Sequence, residues 1–192
     1  MFFEALILGI IIGYVRKGRI SRLSYVYFSY RPLIFISALF YLGIIVINLG
    51  LYNYDSSLYS LFLISSIIFS GLFIVANLNI KFMFVPLIGI TLNLLSFLAN
   101  GFKFTLSPEL AEQIYGTGIV ELLNNEKLLF FTSSDSANLS FLGTIIPIGN
   151  WFLVSIGDII VALGVVLVVQ GIISDKYIQS RSRITFSKNI FK

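Results

Sequence analysis

The residue best placed to do chemistry in this chain is Asp158. It sits in WFLVSIGDIIVALGVVLVVQGII, a run with no other charge and long enough to cross a bilayer. A carboxyl at hydrocarbon depth costs about 2.5 kcal/mol or more on insertion scales, so such residues have an interior partner or a task. One task is catalysis by a carboxyl pair sharing a proton, as in aspartyl hydrolases, whose acids stand about 3 Å apart. Asp55, in Tyr54-Asp55, and Asp135 qualify by topology as partners of Asp158 on the same side. The other reading makes Asp158 a first-turn residue, held by the positive end of the last helix and paired with Lys103.

The rest of the composition narrows the chemistry. With no Cys and no His, thiol nucleophiles, Ser-His dyads, disulfides, His-ligated haem and His-Glu-x-x-His zinc sites are excluded. Carboxylates, amides, hydroxyls, Lys and Arg remain. No metal and no cofactor is expected. Of 192 residues, 57% are hydrophobic and 11% charged, against roughly 25% charged in soluble domains. The expected fold class is therefore an all-α integral membrane protein, one membrane domain over residues 1–192 with no soluble domain attached.

Five apolar segments must position the acids: about 2–15, 32–51, 58–76, 82–99 and 154–173. The chain opens MFFEALILG, without the basic start and small-residue cleavage site of a secretory signal peptide. Arg16, Lys17, Arg19, Arg22, Arg31, Lys81 and the basic tail over 174–192 fall on one side of a five-span bundle. Lys103 and Lys127 fall on the other. The excess of positive charge puts the N-terminus outside and the C-terminus in the cytoplasm. Arg16, Lys17, Arg19 and Arg22 are expected to contact lipid headgroups.

The long connection over 101–150 is expected outside the membrane and structured. Ser107-Pro108-Glu109 predicts an N-cap, a proline in the first turn and an acid at the helix start. That helix should run to about Tyr115, stopped by Gly116, with a second short helix over 119–125. The stretch KLLFFTSSDSANLSFLGTIIPIGNW reads as a hairpin or a re-entrant segment. Polar stripes mark the faces that meet inside the bundle: Ser37, Tyr41 and Asn48; Ser66, Ser70 and Asn77; Gly89, Asn93, Ser96 and Asn100. Gly9/Gly13 and Gly157/Gly164/Gly171 predict close helix approach. Asn93, Asn100 and Lys103 are the expected lining of a polar cavity beside Asp158.

Three resemblances attach to these residues. GNWFLVSIGDIIVALGVVLVV resembles the last helix of lipoprotein signal peptidases, which implies a catalytic role for Asp158. At the end of the preceding helix LSFLANGFKF offers Asn100 and Lys103, without the acid of that family. Ser155-Ile156-Gly157-Asp158 and Tyr54-Asp55 resemble the Gly-x-Gly-Asp and Tyr-Asp elements of presenilin-type proteases, with Ser155 at the first glycine. The widest resemblance is to a bacterial polytopic membrane-protein family known as a domain of unknown function. It rests on Gly18-Arg19-Ile20-Ser21, Ala99-Asn100-Gly101, Phe141-Leu142-Gly143, Ile146-Pro147 and Ile156-Gly157-Asp158. It implies a multi-pass protein of the plasma membrane and no particular activity.

The expected function is thus a non-catalytic scaffold, sensor or accessory subunit that contacts membrane lipid or a membrane-protein partner, and no nucleic acid. An aspartyl hydrolase at the outer leaflet is the alternative, and a small transporter a weaker one.

Overall fold

Long apolar runs with proline only at their starts become helices here. The chain, as a computed structural model, is described over residues 2–48, 56–124 and 131–175. Five long helices are α1 (Phe2–Val15), α2 (Pro32–Asn48), α3 (Ser56–Ala76), α4 (Phe84–Ala99) and α7 (Ile156–Ser174). Two short ones, α5 (Pro108–Tyr115) and α6 (Gly118–Asn124), lie in the long connection. Pro32, Pro86 and Pro108 each occupy a first turn, where proline removes no intrahelical hydrogen bond. Among the described residues two helices, over Leu58–Ala76 and Ile156–Ser174, are long and apolar enough to cross a membrane.

Helix α7 is the hub, packed on α1 at one side and on α4 at the other; α4 continues to α3, and α3 to α2. The glycines permit these approaches. A Cβ at Gly13 would stand 2.9 Å from Ile173, and one at Gly9 3.0 Å from Val169. Gly89 and Gly157 face each other, so a Cβ at Gly89 would lie 2.5 Å from the Gly157 carbonyl oxygen. Further along α7, Gly164 accommodates Pro86.

The α2–α3 contact is fixed by a reciprocal serine clasp. Ser37 Oγ donates to the Ser66 carbonyl at 2.8 Å, and Ser66 Oγ to the Ser37 carbonyl at 3.1 Å. Ser37 and Ser66 thus meet as their stripes predict, whereas Tyr41 points away and is exposed. Asn48 is described in its backbone only.

At the end of α3, Asn77 is 0% exposed. Its Oδ1 accepts from the Ser29 N–H at 2.7 Å, and its Nδ2 donates to the carbonyls of Ser29 (3.0 Å) and Phe73 (2.8 Å). One side chain therefore satisfies both backbone groups of a residue in the α1–α2 connection. Asn77→Leu keeps the volume but leaves both part-buried Ser29 groups without their protein partner. It should lower unfolding stability by about 2–4 kcal/mol, read from denaturant midpoints of purified protein.

The two ends of the bundle differ. At the basic end a 3-10 turn (Ile20–Tyr25) folds back on α7. At the other, the loop end, the described residues add four three-residue strands, so the chain is mostly helical instead of all-α, and one strand pair is a hairpin that begins inside the stretch expected to form a hairpin or re-entrant segment. Strand β1 (Phe104–Leu106) pairs in parallel with β2 (Phe131–Ser133), and β3 (Ile146–Ile148) forms an antiparallel hairpin with β4 (Phe152–Val154). The chain turns from α4 into β1 through two left-handed residues, Gly101 (φ 62°) and Phe102 (φ 64°). Phe97, buried at the end of α4, holds the strands from below through ring contacts with Phe102 and Phe104.

Candidate functional site

The site grows from the junction of β4 and α7. Ser155 is extended (φ −90°, ψ 164°) and caps α7. Its Oγ accepts from the Asp158 N–H at 2.9 Å, and the Asp158 Oδ2 accepts from the Ser155 N–H at 3.0 Å. This capping box satisfies two N–H groups the helix start would otherwise leave free. Asn93 on α4 completes a closed ring. Its Nδ2 donates to Asp158 Oδ1 at 2.8 Å and its Oδ1 accepts from Ser155 Oγ at 2.7 Å. Gly157 makes the ring possible, because its missing Cβ would fall on the Asn93 amide.

Two cavities adjoin this ring. One, of about 350 Å³, is lined by Ile67, Ser70, Ile90, Phe104 and Phe131, with Asn93, Thr144 and Asp158 at its polar end. The other, of about 30 Å³, is lined by Asn93, Ser96, Thr105, Thr144, Ser155 and Asp158 among others. It has room for a water-sized group. Thr105 is 0% exposed and its hydroxyl has no partner among the described residues. Gly143 accommodates it, since a Cβ there would collide with that hydroxyl. The strand itself is held on both sides, with Thr144 N–H donating to the Thr105 carbonyl at 2.8 Å and Ser134 N–H to that of Leu106 at 2.9 Å.

Of the two acids proposed as partners of Asp158, the described one, Asp135, lines neither cavity. Asp135 is exposed in a turn, where Ser134 Oγ donates to its carboxylate at 3.3 Å and its own N–H donates to Ser133 Oγ at 3.3 Å. Asp55 lies outside the described residues. Among the described residues, Asp158 is the only carboxyl lining either cavity. No bond joins Lys103 to Asp158, whose oxygens are taken by Asn93 and Ser155; Lys103 is half-buried and lines neither cavity.

Asn100 also departs from the expected cavity lining. At the C-terminal end of α4 its side chain turns to backbone, donating to the carbonyls of Ser96 (2.7 Å) and Asn138 (2.8 Å) and accepting from the Asn138 N–H at 2.8 Å. Asn138 Nδ2 returns a bond to the Ala99 carbonyl at 3.2 Å. The pair is a clasp pinning the connection to α4.

At the basic end Arg16, Lys17 and Arg19 are exposed. Arg22 is not available to headgroups: it is 7% exposed and its Nη1 donates to the Ile173 carbonyl at 2.6 Å. A cation at the negative C-terminal end of α7 explains the burial. The Arg19 N–H shares that carbonyl at 3.0 Å.

Ser155 enters the sequence reading only within a resemblance, and neither it nor Thr105 and Thr144 is assigned there to a cavity with Asp158. Ser155 had a readable signal, the Ser-x-x-Asp spacing before an apolar run. Thr105 and Thr144 had none, because only the tertiary fold brings them to Asp158.

The acceptor in the ring is the Asp158 carboxylate, while the Asn93 amide gives one N–H to it and keeps a second. Each carboxylate oxygen has one protein donor and keeps a lone-pair site free. A group that donates hydrogen bonds, neutral or cationic, suits this end of the cavity, and an anion does not.

Comparison with curated proteins and with solved structures gives no match. A family model does match, the family of unknown function DUF5317, over residues 25–170. Ala99-Asn100-Gly101, Phe141-Leu142-Gly143 and Ile156-Gly157-Asp158 lie within that range, with the whole ring and both cavities at the loop end; Gly18–Ser21 precedes it. The match takes in most of the sequence, and the chain belongs to the DUF5317 family.

Proposed function

We propose that this chain is a multi-pass membrane protein, five helices across, that binds a lipid-like amphiphile at its loop end and performs no hydrolysis. The membrane reading is supported by what the helices expose. Ile7, Leu8 and Ile11 of α1, Phe35, Leu39 and Leu42 of α2 and Leu61, Ile68 and Leu72 of α3 all face outward. Bulky apolar side chains in such density need hydrocarbon around them. Tyr25, Tyr27 and Tyr30 are exposed at the basic end and Trp151, 81% exposed, at the loop end, as in the aromatic belts of membrane proteins. At 1.5 Å per residue α3 reaches ~32 Å and α7 ~29 Å, matching a hydrocarbon core of about 30 Å. The basic end is cytoplasmic in this reading, and the loop end faces out.

The observation that carries the functional reading is the ring itself. Both Asp158 oxygens are bonded inside the protein, in a cap and to an amide, while a 350 Å³ cavity with mostly apolar walls has Asp158 in its lining. Cavities of this size take small ligands. The ligand that fits has an apolar body and a hydroxyl or ammonium end.

Decylamine, decanol and decanoate offer one body with three ends. The purified chain titrated with each should show saturable thermal stabilisation by decylamine and decanol and none by decanoate. Ile90→Trp, which fills the cavity, should remove the response. Equal stabilisation by decanoate would sink the acceptor reading, and no response to any of the three would sink ligand binding.

A further inference from the structure

The basic end holds another cavity, of about 550 Å³, which the loop-end site does not use. We infer that it binds one phosphodiester group, that of an anionic lipid headgroup. The inference rests on the membrane reading above for the source of the ligand, and on the following chemistry for its class.

Two cations reach the cavity from different elements. Arg16 follows the last residue of α1, and Lys81 lies in the turn between α3 and α4. Both are exposed. Each stands beside a non-glycine residue in the left-handed region, Lys17 (φ 60°) and Phe82 (φ 68°). At α1 the left-handed residue closes the helix, with Gly18 N–H donating to the Gly13 carbonyl at 3.0 Å. Beside Lys81 it aims the Phe82 ring at α7, where a Cβ on Gly171 would meet that ring at 3.2 Å. Lys81 Nζ sits 4.9 Å from the centre of the same ring, a cation–π contact that keeps the ammonium over the cavity.

Helix α7 supplies the floor and the neutral donors. Gly171 leaves the floor open. Gln170 and Ser174, four residues apart and so on one face of the helix, line the cavity together. The Ser174 hydroxyl is a buried oxygen with no partner among the described residues. Asp175 at the rim brings one negative charge. The formal sum of Arg16, Lys81 and Asp175 is one positive charge, which a phosphodiester neutralises. A guanidinium fork and hydroxyl and amide donors are the groups that bind phosphate oxygens. Basic pockets between helices at the cytoplasmic surface are where anionic headgroups lodge.

The test uses the full chain, extracted in dodecylmaltoside and loaded with an equimolar mixture of phosphatidylglycerol and phosphatidylcholine. Native mass spectrometry counts the lipid retained. One phosphatidylglycerol should be held in at least tenfold preference over phosphatidylcholine. Arg16→Gln with Lys81→Gln should bring the ratio near one, with helix content unchanged by circular dichroism. Lys81→Arg should keep the preference, and so should Lys17→Gln, which removes a neighbouring charge that does not line the cavity. Equal loss in Lys17→Gln, or retention in the double variant, would overturn the site and leave only diffuse surface charge. Inorganic phosphate at millimolar concentration is the second arm. Thermal stabilisation by phosphate with no preference for phosphatidylglycerol would assign the cavity to a soluble phosphate and overturn the lipid source. A chain absent from carbonate-washed membranes sinks the membrane reading. One that is present but retains no anionic lipid sinks this inference alone.

Discussion

Gly157→Val is expected to destroy the loop-end ring and to cost about 3 kcal/mol of stability, the upper range for overpacking a filled interior. Two neighbours oppose any side chain at this position. The first Cβ falls on the Asn93 amide, and the Gly89 carbonyl oxygen is 2.7 Å away. Relief requires α4 and α7 to separate, which opens their close contact at Gly89 and takes Asn93 away from Asp158. Gly157→Ala should show the same sign at about 1–3 kcal/mol, although alanine is the better helix former by about 1 kcal/mol. Gly71 in α3 provides the contrast. Nothing lies within 4 Å of its missing Cβ, so Gly71→Ala should stabilise the chain by about 0.5–1 kcal/mol. Denaturant midpoints of the three variants test the argument through the opposite signs. Stabilisation by Gly157→Ala would mean that the two helices are not in contact there.

The same residues explain how much was readable beforehand. Helix extents follow from local chemistry, so the starts at Pro32 and Pro108 and the stop at Gly116 were legible, as were the glycine faces of α1 and α7. The short strands were not. Each is three residues long, and β1 finds β2 across α5 and α6, so neither periodicity nor a turn signal announces the pair. Polar stripes were legible as interior faces but not in detail. Asn93 sits mid-helix and is forced toward α7, whereas Asn100 is at a helix end, where an amide has unpaired carbonyls at hand and takes them. Charge was the least faithful guide. Arg22 was grouped with exposed basic neighbours, yet the C-terminal carbonyls of α7, contributed from 151 residues away, draw it inside. The acid in the last apolar run stood out at once, while its partner Asn93 lies 65 residues earlier and is one asparagine among several.

The ring at Asp158 should respond to mutation as structure and not as catalysis. Asp158→Ala removes the acceptor for the Ser155 N–H and for Asn93 Nδ2 together. The loss combines a helix cap, about 1 kcal/mol, with a buried donor left unpaired, about 1–3 kcal/mol. The expected total is about 2–4 kcal/mol. Asp158→Asn should be milder, about 1 kcal/mol. The new amide can still accept from Ser155, and Asn93 can turn its amide to offer oxygen, with Ser155 Oγ then accepting. A catalytic carboxyl behaves otherwise, tolerating Asn in stability while losing all turnover. Asn93→Ala gives the third corner and Asn93→Ala with Asp158→Ala the fourth. The coupling between the two positions should be about 1–2 kcal/mol, as for a hydrogen bond to a charged group that is partly buried. Additive losses would mean that Asn93 and Asp158 do not act on each other, and the acceptor end of the cavity would lose its basis. A coupled pair whose Asn variant also loses stabilisation by decylamine, while keeping that by decanol, would tie the carboxylate charge to the ligand. The ammonium needs the anion, whereas the hydroxyl needs only an acceptor.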